Sequence, residues 1–97
     1  MTGFLIADVT DVKDASLYQR YKPLVPASLQ AFSGTYLTRG GTVTVLEGSW
    51  HPERIVVVRF ERAARATQRG ASDEYREARG LRRAATETNM IVVEGVA

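Results

Sequence analysis

The sequence predicts an α+β domain: a four-stranded antiparallel sheet with helices on one face, ferredoxin-like in plan. Three observations carry this. The β-rich and helical segments follow the order strand, helix, hairpin, strand, helix, strand, which is the split βαβ arrangement with one extra strand in its hairpin. Two helical regions suffice to cover one face of such a sheet and no more. The 97 residues leave room for a single core, so residues 1–97 form one domain.

Gly3 to Val9 reads as the first strand, with Leu5-Ile6-Ala7 an unbroken apolar stretch. Asp14 is placed to cap a helix from Ala15, its carboxylate accepting first-turn N–H groups. Leu17, Tyr21, Leu24 and Val25 share one stripe of that helix, and Pro23 and Pro26 must kink it or split it before Phe32. Thr35 to Arg39 and Thr42 to Glu47 are both β-rich, and Gly40-Gly41 between them suits a tight hairpin turn. Strict alternation puts Tyr36 and Thr38 on one face and Thr35, Leu37 and Arg39 on the other. Gly48 to Arg54 is a loop, and Ile55 to Phe60 a strand. A short helix runs from Ala63 to Arg69 and stops at Gly70; Ser72 caps a second from Asp73 to Ala85, with Tyr75, Ala78, Leu81 and Ala85 as its buried stripe. Thr86 to Asn89 reads as a turn before the last strand, Met90 to Glu94.

A sheet with one wet face alternates apolar and polar residues along its strands. Leu5-Ile6-Ala7, Ile55 to Val58 and Ile91-Val92-Val93 are apolar on both faces, and the chain has no spare element to cover the second. A homodimer packed sheet to sheet is the simplest cover, burying over about 1,200 Å² in total. The chain needs the help. A domain this small buries only about 60–65% of its unfolded surface. It has no cysteine for disulfides, and its single histidine, His51, cannot build a metal site alone.

The N-terminus lacks a secretory leader, and no apolar run approaches the roughly 20 residues that span a bilayer, so a cytoplasmic protein with no membrane partner is expected. Thirteen Lys and Arg against eleven Asp and Glu give a net charge of +2. Arginines crowd residues 62–83, but Glu61, Asp73, Glu74 and Glu77 interleave with them, as on a solvated face, and no nucleic-acid partner is expected. No glycine-rich phosphate loop or paired histidines mark a cofactor, so none is expected.

His51 is the one side chain whose ordinary pKa lies near neutrality, and so the candidate for proton transfer; its alternative is an exposed loop histidine. Glu47 is either a second base or the ion-pair partner of Arg39 or Arg54. Arg39 and Arg54 carry planar forks suited to a carboxylate or enolate, or else they brace the hairpin. Trp50 and Tyr36 are candidates to line a pocket, and Tyr18, Tyr21 and Tyr36 to donate to an oxyanion; each also fits a structural role.

The spacing of Tyr18/Tyr21, Gly34, Arg39-Gly40-Gly41, Leu46-Glu47-Gly48, Trp50, Pro52, Arg54, Phe60, Ser72, Glu74-Tyr75 and Arg82 resembles the domain-of-unknown-function family DUF1330, over nearly the whole chain. The resemblance implies the dimeric α+β barrel superfamily. That superfamily is similar in architecture to cofactor-free quinone-forming monooxygenases, cyclase-like enzymes, muconolactone isomerases and haem-degrading proteins, whose sites lie between sheet and helices. One departure stands out: Arg69-Gly70 occupies the place of an aromatic pair, which should open or repolarise a wall of that space. The expectation is a cofactor-independent enzyme doing proton-transfer chemistry (isomerase, cyclase, lactone or lyase type) on a small organic molecule, anionic or aromatic. The alternative is a non-catalytic metabolite-binding or accessory protein of a biosynthetic pathway.

Overall fold

The computed structural model describes residues 1–97. Strand β1 (Gly3–Val12) leads into helix α1 (Ala15–Tyr21), a 3₁₀ turn at Lys22–Leu24, and helix α2 (Val25–Ala31). Strands β2 (Thr35–Arg39) and β3 (Ile55–Phe60) follow, then helices α3 (Ala63–Gly70) and α4 (Asp73–Ala85) and strand β4 (Thr86–Glu94). The four strands form one antiparallel sheet in the order β2-β3-β1-β4, with the helices packed on one face, the ferredoxin-like arrangement.

Local chemistry accounts for the helix ends. Asp14 Oδ1 accepts from the backbone N–H of Ser16 and of Leu17, each at 3.1 Å, and so occupies donors that α1 leaves unpaired. Pro23 and Pro26 break the helical region where expected: α1 stops at Tyr21, and α2 carries Pro26 in its first turn, where a missing N–H costs nothing. Ser72 Oγ accepts from Tyr75 N–H at 3.2 Å and starts α4, whose first turn holds Asp73 and Glu74 and whose last holds Arg82 and Arg83, matching the helix dipole.

Register decides which side chains meet the helices. Leu5 and Ala7 of β1 lie opposite Val58 and Val56 of β3 and Val92 and Met90 of β4. Leu5, Ala7, Val58 and Phe60, with Val56 and Met90 packed beside them, close a core against Val25, Leu29 and Ala66. The intervening residues form the open face: Phe4, Ile6, Ile55, Val57, Ile91 and Val93, with Ile91 56% and Val93 43% exposed. At one crossing the layers are very close, because a side chain at Gly3 would run into the Ala63 backbone of α3. No helix is long and apolar enough to cross a membrane.

Three expectations are corrected. Thr42 to Glu47 is not a strand, and residues 41–53 make no backbone-to-backbone hydrogen bond at all. Strand β2 pairs with β3, whose Val58 and Phe60 anchor it in the core, and its other edge stays open, so the Gly-Gly signal does not produce a hairpin within the chain. Thr86 to Asn89 is strand, not turn; these polar residues pair with Asp8 to Val12 in an extension of β1 that bulges between Val9 and Asp11. Finally, β2 is irregular between Tyr36 and Thr38, so Leu37 is the extra residue of a bulge. Tyr36 lies opposite Val58 and Arg39 opposite Val56, which turns both toward the helices rather than to opposite faces.

Candidate functional site

The bulge in β2, the start of β3 and the kinked helical region together open a cleft of about 340 Å³ at one end of the helix–sheet interface. The sheet contributes Tyr36, Arg39, Arg54 and Val56, and the helical side contributes Tyr18, Tyr21, Lys22 and Val25. Helix α1 presents Tyr18 and Tyr21 stacked, with ring centroids 5.9 Å apart. Lys22 Nζ lies 4.9 Å from the Tyr18 centroid and the Arg54 guanidinium 5.8 Å from it, while Arg39 sits 4.9 Å from the ring of Tyr36. Gly40 has φ +74°, and a side chain there would strike the Arg54 guanidinium, so the glycine admits the arginine as well as making the turn.

Three cations therefore face one another across aromatic walls with no carboxylate among the lining residues. None of them is in an ion pair; the chain's one salt bridge is Arg76 to Asp73 on the exposed face of α4. Arg54 Nε is buried and has no hydrogen-bond partner. An unpaired buried donor is costly, and it marks a position where an acceptor belongs. The phenol of Tyr21 bonds the hydroxyl of Tyr75 at 3.1 Å. Burial, then the neighbouring Tyr75, pushes its pKa well above the ordinary tyrosine value, against the pull of Arg69 and Arg82. Tyr21 thus stays protonated and is unsuited to act as a base.

Five of the expected site residues, Tyr18, Tyr21, Tyr36, Arg39 and Arg54, are brought together here. The other three are not. Trp50 lies over the open face beside Ile6, Asn89 and Ile91, and its Nε1 donates to Asp8 Oδ2 at 2.9 Å. His51 is exposed and borders a shallow hollow with Asp8, Thr10 and Glu53. Glu47 is exposed and pairs with neither Arg39 nor Arg54. The cause is common to all three: residues 41–53 leave the sheet after Gly40 and do not follow β2 along the cleft. Two residues, Lys22 in the cleft and Asp8 beneath the open-face Trp50, carried little sequence signal. Lys22 is visible only as one of two lysines, directly after the Tyr18/Tyr21 stripe. Asp8, 8% exposed with Oδ1 unpartnered beneath Trp50, reads in sequence as an ordinary strand-end acid. No group of three or more His, Cys, Asp or Glu side chains could hold a metal ion.

Fold and cleft together define a small ferredoxin-like α+β protein with a cationic, aromatic-walled space between its helices and sheet. Residues 2–96 match the family described as Domain of unknown function (DUF1330), and the chain belongs to that family. A protein of unknown function from Rhodopseudomonas palustris is similar in structure, with a TM-score of 0.74 and 16% identity over 99% of this chain and 83% of that one. A dimeric protein of unknown function with a ferredoxin-like fold from Bacteroides fragilis gives 0.61 at 12% identity, covering 97% of this chain and 96% of its own. A Nitrosomonas europaea protein with a suggested role as an antibiotic biosynthesis monooxygenase gives 0.54 at 11% identity over the full length of both. At these identities the likeness is one of fold. None of the curated proteins matches the chain in sequence.

Proposed function

We propose that this protein binds a small organic anion, with its carboxylate or enolate oxygens between Arg39, Arg54 and Lys22 and its carbon skeleton against Tyr18 and Tyr36. The observation that carries the reading is the unpartnered Arg54 Nε in a cleft holding three cations and no acid. The guanidinium forks supply paired donors to a planar oxyanion, and the rings supply apolar contact. Calorimetric titration with benzoate tests it. Wild type should bind, and Arg54→Met should lose about tenfold, the scale of one charge-assisted hydrogen bond. Equal affinity in the variant, or no binding by wild type, sinks the reading.

Catalysis is the second reading, and the same arginines favour it, because groups that hold a carboxylate also stabilise an enolate. It would make the chain a cofactor-free isomerase, cyclase or lyase. No histidine or carboxylate lines the cleft, and His51 and Glu47 lie outside it, so this reading requires the 41–53 segment to bring one of them to the cleft. Exchange of the acidic C–H protons of phenylpyruvate in D₂O separates the two readings. Acceleration lost in His51→Ala supports catalysis through that histidine, and exchange at the buffer rate leaves binding alone.

The chain is proposed to work as a homodimer in the cytoplasm, without nucleic acid. Support comes from the exposed apolar row on the open face and from residues 41–53, where Leu46 is 91% exposed and a β-rich segment has no ladder partner. A second copy would cover the row and offer the segment an edge.

A further inference from the structure

A second cavity, of about 320 Å³, lies between α3, α4 and the edge strand β4, and it contains the least expected side chain in the molecule. Arg69 is 3% exposed. Its guanidinium lies 3.8 Å from the ring centroid of Tyr75, and its Nε donates to Ser28 Oγ at 3.1 Å. Its two terminal nitrogens have no acceptor in the chain, and no carboxylate pairs with it. A desolvated guanidinium without a counter-charge is unfavourable, yet this one is held from both sides and aimed into a cavity.

Three more arginines, Arg79, Arg82 and Arg83, line the same cavity, and no acid does. Arg79 is fixed by donating to the carbonyl of Gly70 at 2.7 Å, and Arg82 Nε donates to the Tyr75 hydroxyl at 3.2 Å. Gly70 leaves open space where a side chain would stand. The floor is apolar, built from Ala66, Met90 and Val92. Four arginines lining one cavity from two helices offer more donors than a single carboxylate, with two oxygens in one plane, can satisfy. A phosphate dianion has three terminal oxygens pointing in different directions and suits forks arriving from several sides.

We propose that the Arg69 cavity is a second, separate anion site that takes an organic phosphate monoester, its phosphate on Arg69, Arg82 and Arg83 and a small apolar body on Met90 and Val92. It shares no lining residue with the Arg39–Arg54 cleft; the Tyr21–Tyr75 hydroxyl contact lies between the two.

The test is calorimetric titration with phenyl phosphate at fixed salt, in an Arg54→Met background so that the first cleft does not contribute. One-to-one binding is expected, weakened at least about tenfold by adding Arg69→Met, the scale of losing one or more hydrogen bonds from a charged donor. The free Arg69→Met protein should melt no lower than its parent, because an apolar residue of similar volume replaces an unpaired buried charge. If Arg69→Met does not fold, the paired Arg82→Gln and Arg83→Gln variant, altered at the cavity rim, must show the same loss. The proposal is overturned if phenyl phosphate fails to bind the Arg54→Met protein, if binding survives these substitutions, or if a single-stranded oligonucleotide competes at equal affinity. Failure of benzoate binding at Arg54 bears on the first cleft alone.

Discussion

The two faces of the sheet are made of the same kinds of residue and end in opposite environments. Val58 is 2% exposed and Phe60 fully buried beneath the helices, whereas Ile91 and Val93 stand about half exposed on the other side. Val57 and Val58 are sequence neighbours assigned to different faces by the pleat alone. Strand hydrophobicity therefore reports that both faces are to be covered, and the covering element decides which is core within the chain. The helices cover one. The other has no cover within the chain, a second protomer is the cover proposed for it, and experiment can separate the two faces.

The largest effect belongs to the covered face. Phe60→Ala should cost about 3–5 kcal/mol, as expected for emptying a fully buried aromatic site, read from urea unfolding. A loss under about 1 kcal/mol would mean that this face is not the core. On the open face, Val57→Asp should leave the protomer fold intact by circular dichroism while weakening the dimer at least about a hundredfold in sedimentation equilibrium, since an unpaired charge would enter an apolar interface. A wild-type protein that sediments as a protomer at micromolar concentration would break the comparison outright.

Smaller effects sharpen it. Trp50→Phe keeps the ring over Ile6 and Ile91 but removes the donor to Asp8, leaving both carboxylate oxygens without a protein partner. It should destabilise by about 1–3 kcal/mol in thermal unfolding, and Asp8→Asn in the same background should recover part of that loss. The smallest effect lies at the start of α1. Hydrogen bonds from the Ser16 side chain and the Leu17 backbone hold the Asp14 carboxyl below its ordinary value of 3.8. A depressed folded pKa contributes stability that is present above the unfolded value and lost as pH falls through the folded one. Asp14→Asn should thus flatten the acid limb of the stability profile below about pH 4 and leave neutral pH little changed, as measured by urea midpoints across pH.

The sequence makes local chemistry easy to read and non-local competition hard. Asp14, Ser72 and the two prolines each act within a few residues, and each does what its chemistry requires. Thr42 to Glu47 has the composition of a strand, but a strand exists only with a partner: β2 pairs with β3 along one side, and the segment after Gly40 does not lie along its other, open edge. Thr86 to Asn89 misleads in the opposite sense: polar residues at the far end of a sheet still pair, because the extension of β1 lies alongside them. In the cleft, the residue types Arg39, Arg54, Tyr18 and Tyr36 are legible as candidates to hold an anion. Their convergence is not, because it depends on one register irregularity that no periodicity announces. Trp50 and His51 stand four and three residues before Arg54 in sequence, yet Trp50 lies over the open face and His51 borders a hollow outside the cleft.

The bulge at Leu37 has an evolutionary corollary. Because the extra residue opposes no residue of β3, a version of this strand one residue shorter would pair as a regular ladder and still turn Tyr36 and Arg39 inward together. Loss of this one residue would be silent to whatever the cleft holds, while loss of a second between Tyr36 and Arg39 would rotate the arginine out toward the opposite layer.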